Sequence, residues 1–97
     1  MPTYIILARW TQQGIENIKD SPSRLDAARQ AFRAAGAELK ASYLTMGQYD
    51  FVVVAEAPDD EAMTKLTLAT ASKGNVRTET LRAFTEEEYR KIIAALP

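Results

Sequence analysis

The sequence predicts an α+β fold in which four strands and two main helices alternate as β-α-β-β-α-β. Short runs rich in β-branched and aromatic residues recur four times along the chain, as expected for strands. Two of the segments between them repeat apolar residues at three- and four-residue steps, which is the helical period. Glycine and proline residues separate these segments, so the elements have defined starts and ends.

The first half of the chain contains a strand, a helix and a second strand. Residues 3–10, TYIILARW, form the first strand. Ser21 followed by Pro22 predicts an N-cap with proline at the first helical position, and Gly36 ends this helix in a left-handed conformation. Residues 37–46, AELKASYLTM, form a second strand that is more polar than the first.

The second half repeats this order. Residues 50–57 form the third strand, and a helix follows that begins at an aspartate cap and ends at Gly74. Residues 76–84, VRTETLRAF, form the fourth strand. This order predicts the ferredoxin-like fold, a four-stranded antiparallel sheet with the first and third strands in its centre. The charged second and fourth strands suit the edges, because charge there discourages unwanted pairing.

The end of the chain predicts one further helix. Thr85 and Glu88 have the spacing of a capping box, which opens a short C-terminal helix. We expect its apolar residues to face the rest of the molecule: Tyr89, Ile92, Ile93 and Leu96. With 97 residues in total, we expect residues 1–97 to form a single domain.

The third strand is apolar on both of its faces, and this predicts an assembly. Val52 and Val54 point one way, whereas Phe51 and Val53 point the other way. Right-handed crossovers place both main helices on the same face of the sheet, so the second face lacks a cover. Burying each Val, Ile or Leu side chain is worth about 1.5–3 kcal/mol. A second copy packed sheet against sheet is the favoured cover, and the C-terminal helix is its rival.

Composition excludes several classes of function. The chain has no cysteine and no histidine, so disulfides, thiolate nucleophiles and histidine-ligated metals are excluded, and we expect no cofactor and no metal. The formal net charge of −1 gives no reason to expect nucleic acid as a partner. The apolar run at the N-terminus is too short to span a membrane or to form a signal peptide core, so we expect a cytoplasmic protein.

Several segments resemble one known family in order and spacing. The matching segments are WTQQGIENIKDSP at 10–22, GQYD at 47–50, EAPDDEA at 56–62 and GNVRTETLRAF at 74–84. They resemble the GYD domain family, small and largely uncharacterised proteins named for the motif matched by Gly47, Tyr49 and Asp50; Gln48 interrupts the literal triplet. The resemblance implies a fold of the dimeric α+β barrel type, in which two sheets enclose a shared interior. It implies little about activity.

Six residues are candidates for binding or catalysis: Arg9, Trp10, Tyr43, Tyr49, Asp50 and Glu56. Tyr49 and Asp50 either line the mouth of the cavity between sheets, where they could accept and relay a proton, or are structural, with Asp50 bonding turn amides and Tyr49 packing on its neighbour. Glu56 is either a carboxylate with a raised pKa in an apolar interior or a structural residue, which forms a salt bridge to an edge-strand arginine such as Arg77 or Arg82 or reaches water near the strand end. Arg9, Trp10 and Tyr43 either shape a pocket or pack in the core.

These features are compatible with functions from different classes. The first is an oligomeric module that binds a small metabolite between the sheets, which the lack of histidine and cysteine favours. The alternative is a cofactor-free oxygenase or isomerase acting on a small activated carbon acid, with Asp50, Glu56 or Tyr43 as the base. A third hypothesis is a subunit of a larger ring or cage. No nucleic acid and no membrane are expected as partners.

Overall fold

A computed structural model describes all 97 residues of the chain. Its elements follow in the order β1 (Thr3–Trp10), α1 (Gln12–Glu16), a 3-10 turn (Ile18–Asp20), α2 (Ser21–Ala34), β2 (Glu38–Leu44), β3 (Phe51–Glu56), α3 (Asp60–Ser72), β4 (Val76–Ala83) and α4 (Glu86–Ala94). The predicted α+β, ferredoxin-like succession is therefore confirmed.

The four strands form one antiparallel sheet in the order β2-β3-β1-β4. The two apolar strands, β3 and β1, lie in the centre, and the two charged strands lie at the edges, as the sequence predicts. Ile5 of β1 stands between Val54 of β3 and Leu81 of β4. An irregularity between Leu39 and Ala41 shifts the register of β2 against β3.

The helices α2 and α3 cover one face of the sheet. The core beneath them comprises Tyr4, Ile6, Phe32, Ala37, Leu39, Val53, Ala55, Ala57, Met63 and Leu66. Tyr4 and Ile6 point into this core, so Ile5 and Leu7 point to the opposite face together with Val52 and Val54. We refer to the two sides of the sheet as the covered face and the bare face.

Local signals determine most helix ends, with one exception. Gly36 follows α2 with φ 77°, the left-handed conformation predicted for it. The Asp59 side chain caps α3 by accepting a hydrogen bond from the Ala62 amide at 2.8 Å. The predicted N-cap at Ser21 is wrong, because Ser21 is already the first helical residue and Asp20 precedes it without a capping bond. The 3-10 turn before α2 leads directly into the helix, so no side-chain cap is needed there.

The C-terminal helix α4 begins as predicted but does not pack as predicted. Thr85 and Glu88 form both bonds of the capping box. The expectation that the apolar residues face inward is wrong: Tyr89, Ile92, Ile93 and Leu96 are 45–61% exposed. Only two residues separate β4 from α4, and the helix makes few contacts with the rest of the chain. The longest dimension of the molecule is 52 Å. None of the helices combines the length and apolar character needed to cross a bilayer.

Candidate functional site

The bare face forms an apolar surface with no cover. Its apolar residues are Ile5, Leu7, Tyr43, Val52, Val54 and Leu81, all of which point away from α2 and α3. Tyr43 is 60% exposed and Leu81 is 44% exposed. The folded chain exposes 6603 Å², whereas a compact monomer of this mass exposes about 5,500 Å².

Polar residues border the bare face where β1 ends. The Tyr49 hydroxyl donates a hydrogen bond to Glu79 Oε2 at 2.5 Å, and the Arg9 guanidinium lies 4.7 Å from the centre of the Tyr49 ring. Arg9 Nε also donates to the Gln48 carbonyl at 2.8 Å. The hydrogen bond to Glu79 raises the pKa of Tyr49 above its ordinary value. The phenol is therefore a hydrogen-bond donor near neutral pH rather than a base.

Asp50 holds the GQYD loop against the end of β1. Its Oδ2 accepts a hydrogen bond from the Trp10 amide at 3.1 Å, and its own amide donates to the Ala8 carbonyl at 2.9 Å. Its carbonyl accepts from the Thr45 amide at 2.9 Å. Only the first of these contacts uses the side chain, and its partner is an amide of β1 rather than one of the turn amides expected in the structural interpretation.

Glu56 lies at the opposite end of the bare face. Its Oε1 is 3.8 Å from Lys40 Nζ on β2, and its side chain is 31% exposed. The expected salt bridge to Arg77 or Arg82 is wrong, because those residues belong to β4, which β1 separates from β3. A partly hydrated carboxylate beside an ammonium group corresponds to the salt-bridge interpretation of Glu56, with a different partner from those expected.

The six candidate residues therefore do not form one site. Arg9, Tyr49 and Asp50 lie together where β1 ends, while Glu56 lies at the other end of the sheet. Tyr43 stands on the edge strand β2 of the bare face. Trp10 lies on the covered side, where it lines a cavity. No group of three or more acidic side chains is placed to hold a metal ion.

The covered face contains a cavity that was not predicted from the sequence. A space of about 210 Å³ lies between α2, α3 and the sheet, near the end of β1. It is lined by apolar residues together with Arg24 and Lys73, which were not among the candidates. The available signal was the alanine content of the inner helix faces, at Ala28 and Ala69 for example, because alanine side chains are too small to fill a sheet-to-helix layer.

The family profile described as "GYD domain" matches residues 4–93, which is nearly the whole chain. The chain belongs to the GYD domain family. In this GYD domain protein the motif residues Gly47, Tyr49 and Asp50 lie in the loop before β3. Asp50 connects this loop to β1 through its hydrogen bonds with Trp10 and Ala8. Gly47 has φ 101°, a conformation that favours glycine.

A curated relative from Thermus thermophilus is named "Glutamine synthetase and cystathionine beta-lyase binding protein". This GYD domain chain is 39% identical to it over 84 residues, covering 86% of this chain and 88% of the relative.

Solved structures share the fold. The leucine response regulatory protein LrpA of Mycobacterium tuberculosis superposes with a TM-score of 0.66 at 17% identity, covering 87% of this chain. This chain spans only 51% of LrpA, so the match concerns one part of that regulator. The TTHA0845 protein of Thermus thermophilus gives a TM-score of 0.55 at 25% identity, covering 88% of this chain and 95% of that protein.

Proposed function

We propose that this GYD domain protein is a homodimeric binding module whose two sheets pack against each other and whose dimer binds an enzyme. The observation that carries the proposal is the bare face, an apolar surface on the two central strands that nothing in the chain covers. We further propose that the module acts in the cytoplasm and that residues 1–97 are a single domain.

The chemistry of the bare face supports self-association. Its centre consists of aliphatic side chains; the charged residues Arg9 and Glu56 stand toward the ends of β1 and β3, and Glu79 lies on the edge strand β4. An apolar centre with a polar rim is the usual anatomy of a protein interface. A stable interface removes about 800 Å² from each partner, which is of the size of the excess exposed area described above.

The helix α4 provides a second contact in this proposed dimer. It follows β4 after only two residues, so it leaves the molecule from an edge strand of the sheet. Its apolar residues Tyr89, Ile92 and Ile93 recur at the i, i+3 and i+4 positions of one helical stripe, and Leu96 follows just after the helix. Packing of that stripe on the second subunit would cover it without any change in the fold.

The enzyme partner is inferred from the named relative. A protein 39% identical over most of both chains is named for binding glutamine synthetase and cystathionine β-lyase. Recognition of a larger protein does not require a reactive centre, which agrees with the dispersed candidate residues and with the donor role of the Tyr49 hydroxyl.

Sedimentation equilibrium tests the dimer. We expect the wild-type chain to sediment as a dimer and Val54→Asp as a folded monomer, because the substitution places an unpaired charge in an apolar interface. Gln30→Asp adds the same charge on an exposed part of α2 and leaves the dimer intact. Dimers that persist in Val54→Asp would contradict the assignment of the bare face.

Titration calorimetry with purified enzymes tests the partner. We expect glutamine synthetase or cystathionine β-lyase from the same organism as this chain to bind the wild-type dimer with a saturable heat. If neither enzyme binds, the enzyme part of the proposal is wrong, while the proposed dimer is not affected by that result. A metabolite between the sheets, and the alternative of an oxygenase or isomerase using Asp50, Glu56 or Tyr43, stay predictions of the sequence.

A further inference from the structure

The covered side of the sheet is packed unevenly. At one end Met63 is 2% exposed and Ala55 is completely buried, so helix and sheet meet closely there. At the other end, near Trp10 and Val76, the cavity of about 210 Å³ remains open between α2 and α3. Ordinary protein interiors contain few voids larger than a water molecule, so a space of this size is an unusual feature in a small protein.

The walls of the cavity are apolar. Its lining includes Ile6, Ala8, Leu25, Phe32, Phe51 and Val53, together with alanines of both helices. Cavities with such walls exclude water and accept apolar guests; a cavity of about 150 Å³ lined by Leu, Ile and Phe binds benzene. The space in this chain therefore suits one ring, or a branched aliphatic group of similar size.

The polar part of the cavity lining carries only positive charge. The polar lining residues are Ser21, Arg24, Thr67, Thr70, Lys73, Asn75 and Thr78, and no acidic residue is among them. Arg24 donates to the carbonyls of Asn17 at 2.9 Å and Gly14 at 3.4 Å, both of which are uncharged acceptors. Neither Arg24 nor Lys73 takes part in a salt bridge, although other Lys and Arg residues of the chain do.

We propose that this cavity binds a small molecule made of one carboxylate and a compact aliphatic or cyclic body. The body fills the apolar space, and the carboxylate lies between Arg24 and Lys73. Hydrogen bonds from charged donors to a carboxylate are about twice as strong as neutral ones, so the two cations select an acid over its amide. A few polar groups around an apolar pocket is the common arrangement of small-molecule sites.

This site is separate from the proposed dimer interface. The cavity lies on the covered face, whereas the proposed dimer uses the bare face of the same strands. It also differs from the metabolite site predicted between two sheets, because its walls come from a single chain. Loss of dimerisation and loss of ligand binding can therefore be measured independently, with Val54→Asp as the monomeric reference.

The only tryptophan of the chain provides the measurement. Trp10 lines the cavity, so its fluorescence reports what occupies the space. We would titrate the full chain with cyclohexanecarboxylate and 4-methylpentanoate, and in parallel with cyclohexanecarboxamide and 4-methylpentanamide, none of which absorbs where tryptophan does. We expect a saturable change with the acids and at least about tenfold weaker binding of the amides, the ratio that a lost charge-assisted hydrogen bond produces.

Matched variants identify the groups responsible. Arg24→Gln and Lys73→Gln are each expected to weaken binding of the acids about tenfold and to leave the amides unchanged. Arg33→Gln on α2 and Lys65→Gln on α3 remove the same charges from exposed positions outside the cavity and should change nothing. Ala28→Leu should weaken both acid and amide, because the larger side chain occupies the space.

Three results would overturn the proposal. The first is equal affinity for the acids and the amides, which would mean that Arg24 and Lys73 do not distinguish a carboxylate from an uncharged amide. The second is the absence of a saturable Trp10 response to every probe. The third is a Trp10 signal that depends on protein concentration in the Val54→Asp variant without any probe, which would show that another copy of the chain closes the cavity. If Ala28→Leu does not fold, the cavity-lining variants Arg24→Gln and Lys73→Gln still decide between these results.

Discussion

The covered face and the bare face of the sheet are made by the same strands, yet only one is completed within the chain. Tyr4, Ile6 and Val53 are buried under α2 and α3, whereas their immediate neighbours on the other side remain accessible. The two faces are similarly apolar, so the alternation in the strands does not decide which face becomes internal. The position of the helices decides it, and the remaining face is available for another molecule.

The sharpest test of this difference uses two adjacent residues. Val53→Asp buries an unpaired charge in the core, and we expect it to lower the free energy of unfolding by more than about 4 kcal/mol. Val54→Asp points to the bare face, and we expect it to cost the monomer only about 1 kcal/mol, the range of strand propensities. Urea unfolding followed by circular dichroism measures both, at protein concentrations low enough to dissociate the dimer.

The native circular dichroism spectrum provides the control for this pair. Val54→Asp should retain it in the absence of urea, whereas Val53→Asp should lose much of it. If both variants lost the fold to a similar extent, the bare face would be part of the folding core of the single chain, and the distinction between the two faces would be wrong.

A second comparison lies within the covered face, between the closely packed end at Met63, called the packed end, and the end near Trp10 that contains the cavity. Met63→Ala removes a buried side chain, and we expect the free energy of unfolding to fall by about 2–5 kcal/mol. Ala28→Leu adds apolar atoms next to the cavity, and we expect a gain of about 1 kcal/mol. Urea midpoints of the two variants, each measured against wild type, check the pair. A loss in Ala28→Leu as large as that in Met63→Ala would indicate that the space closes in solution.

Local patterns predicted the elements well, and contacts between distant segments were predicted less well. The alternation in TYIILARW, the glycine at 36 and the capping box at Thr85 each specify structure within a few residues, so the strands, helices and sheet order could be derived. The ferredoxin-like topology then identified the bare face. The direction in which α4 packs could not be derived, because an apolar helical stripe indicates a partner without indicating which one.

The candidate site was predicted less completely. Glu56 was correctly placed on the face of Val54, but its partner was expected on β4, whereas Lys40 lies on β2, the edge strand directly next to β3. Glu79 was not considered, although it accepts the hydrogen bond of Tyr49 from 30 residues away. The cavity follows from the distance between two helices and a sheet, a quantity that no periodicity in the sequence encodes.

The hydroxyl of Tyr4 predicts a dependence on pH at the packed end. It donates a hydrogen bond to Asp60 at the start of α3, and burial together with this bond raises the pKa of Tyr4 to about 12. Asp59 adds to the increase, and Arg82 opposes it. The unfolded chain has a tyrosine pKa of about 10. The stabilisation is therefore complete below about pH 10 and is lost as the pH rises toward 12.

Tyr4→Phe separates this effect from the other groups that titrate in alkali. We expect the wild-type chain to lose more stability than Tyr4→Phe between about pH 9 and pH 12, measured as the shift in the urea midpoint. Lysine side chains titrate equally in both proteins, so they cancel in the difference. Parallel curves for the two proteins would mean that the Tyr4 hydroxyl reaches solvent rather than Asp60.

The smallest effect on the fold is expected for α4, because its apolar stripe contacts little of its own chain. Replacing Ile92 and Ile93 together by glutamine should leave the urea midpoint of the Val54→Asp monomer unchanged, since both side chains are half exposed there. In the otherwise wild-type dimer, the same double substitution should raise the dissociation constant at least about tenfold, because two aliphatic contacts with the partner are lost.

The control is Glu87→Gln, on the exposed side of the same helix, which should leave the dissociation constant unchanged. Sedimentation equilibrium measures the dissociation constants; a dimer insensitive to the double substitution would limit the interface to the bare face alone.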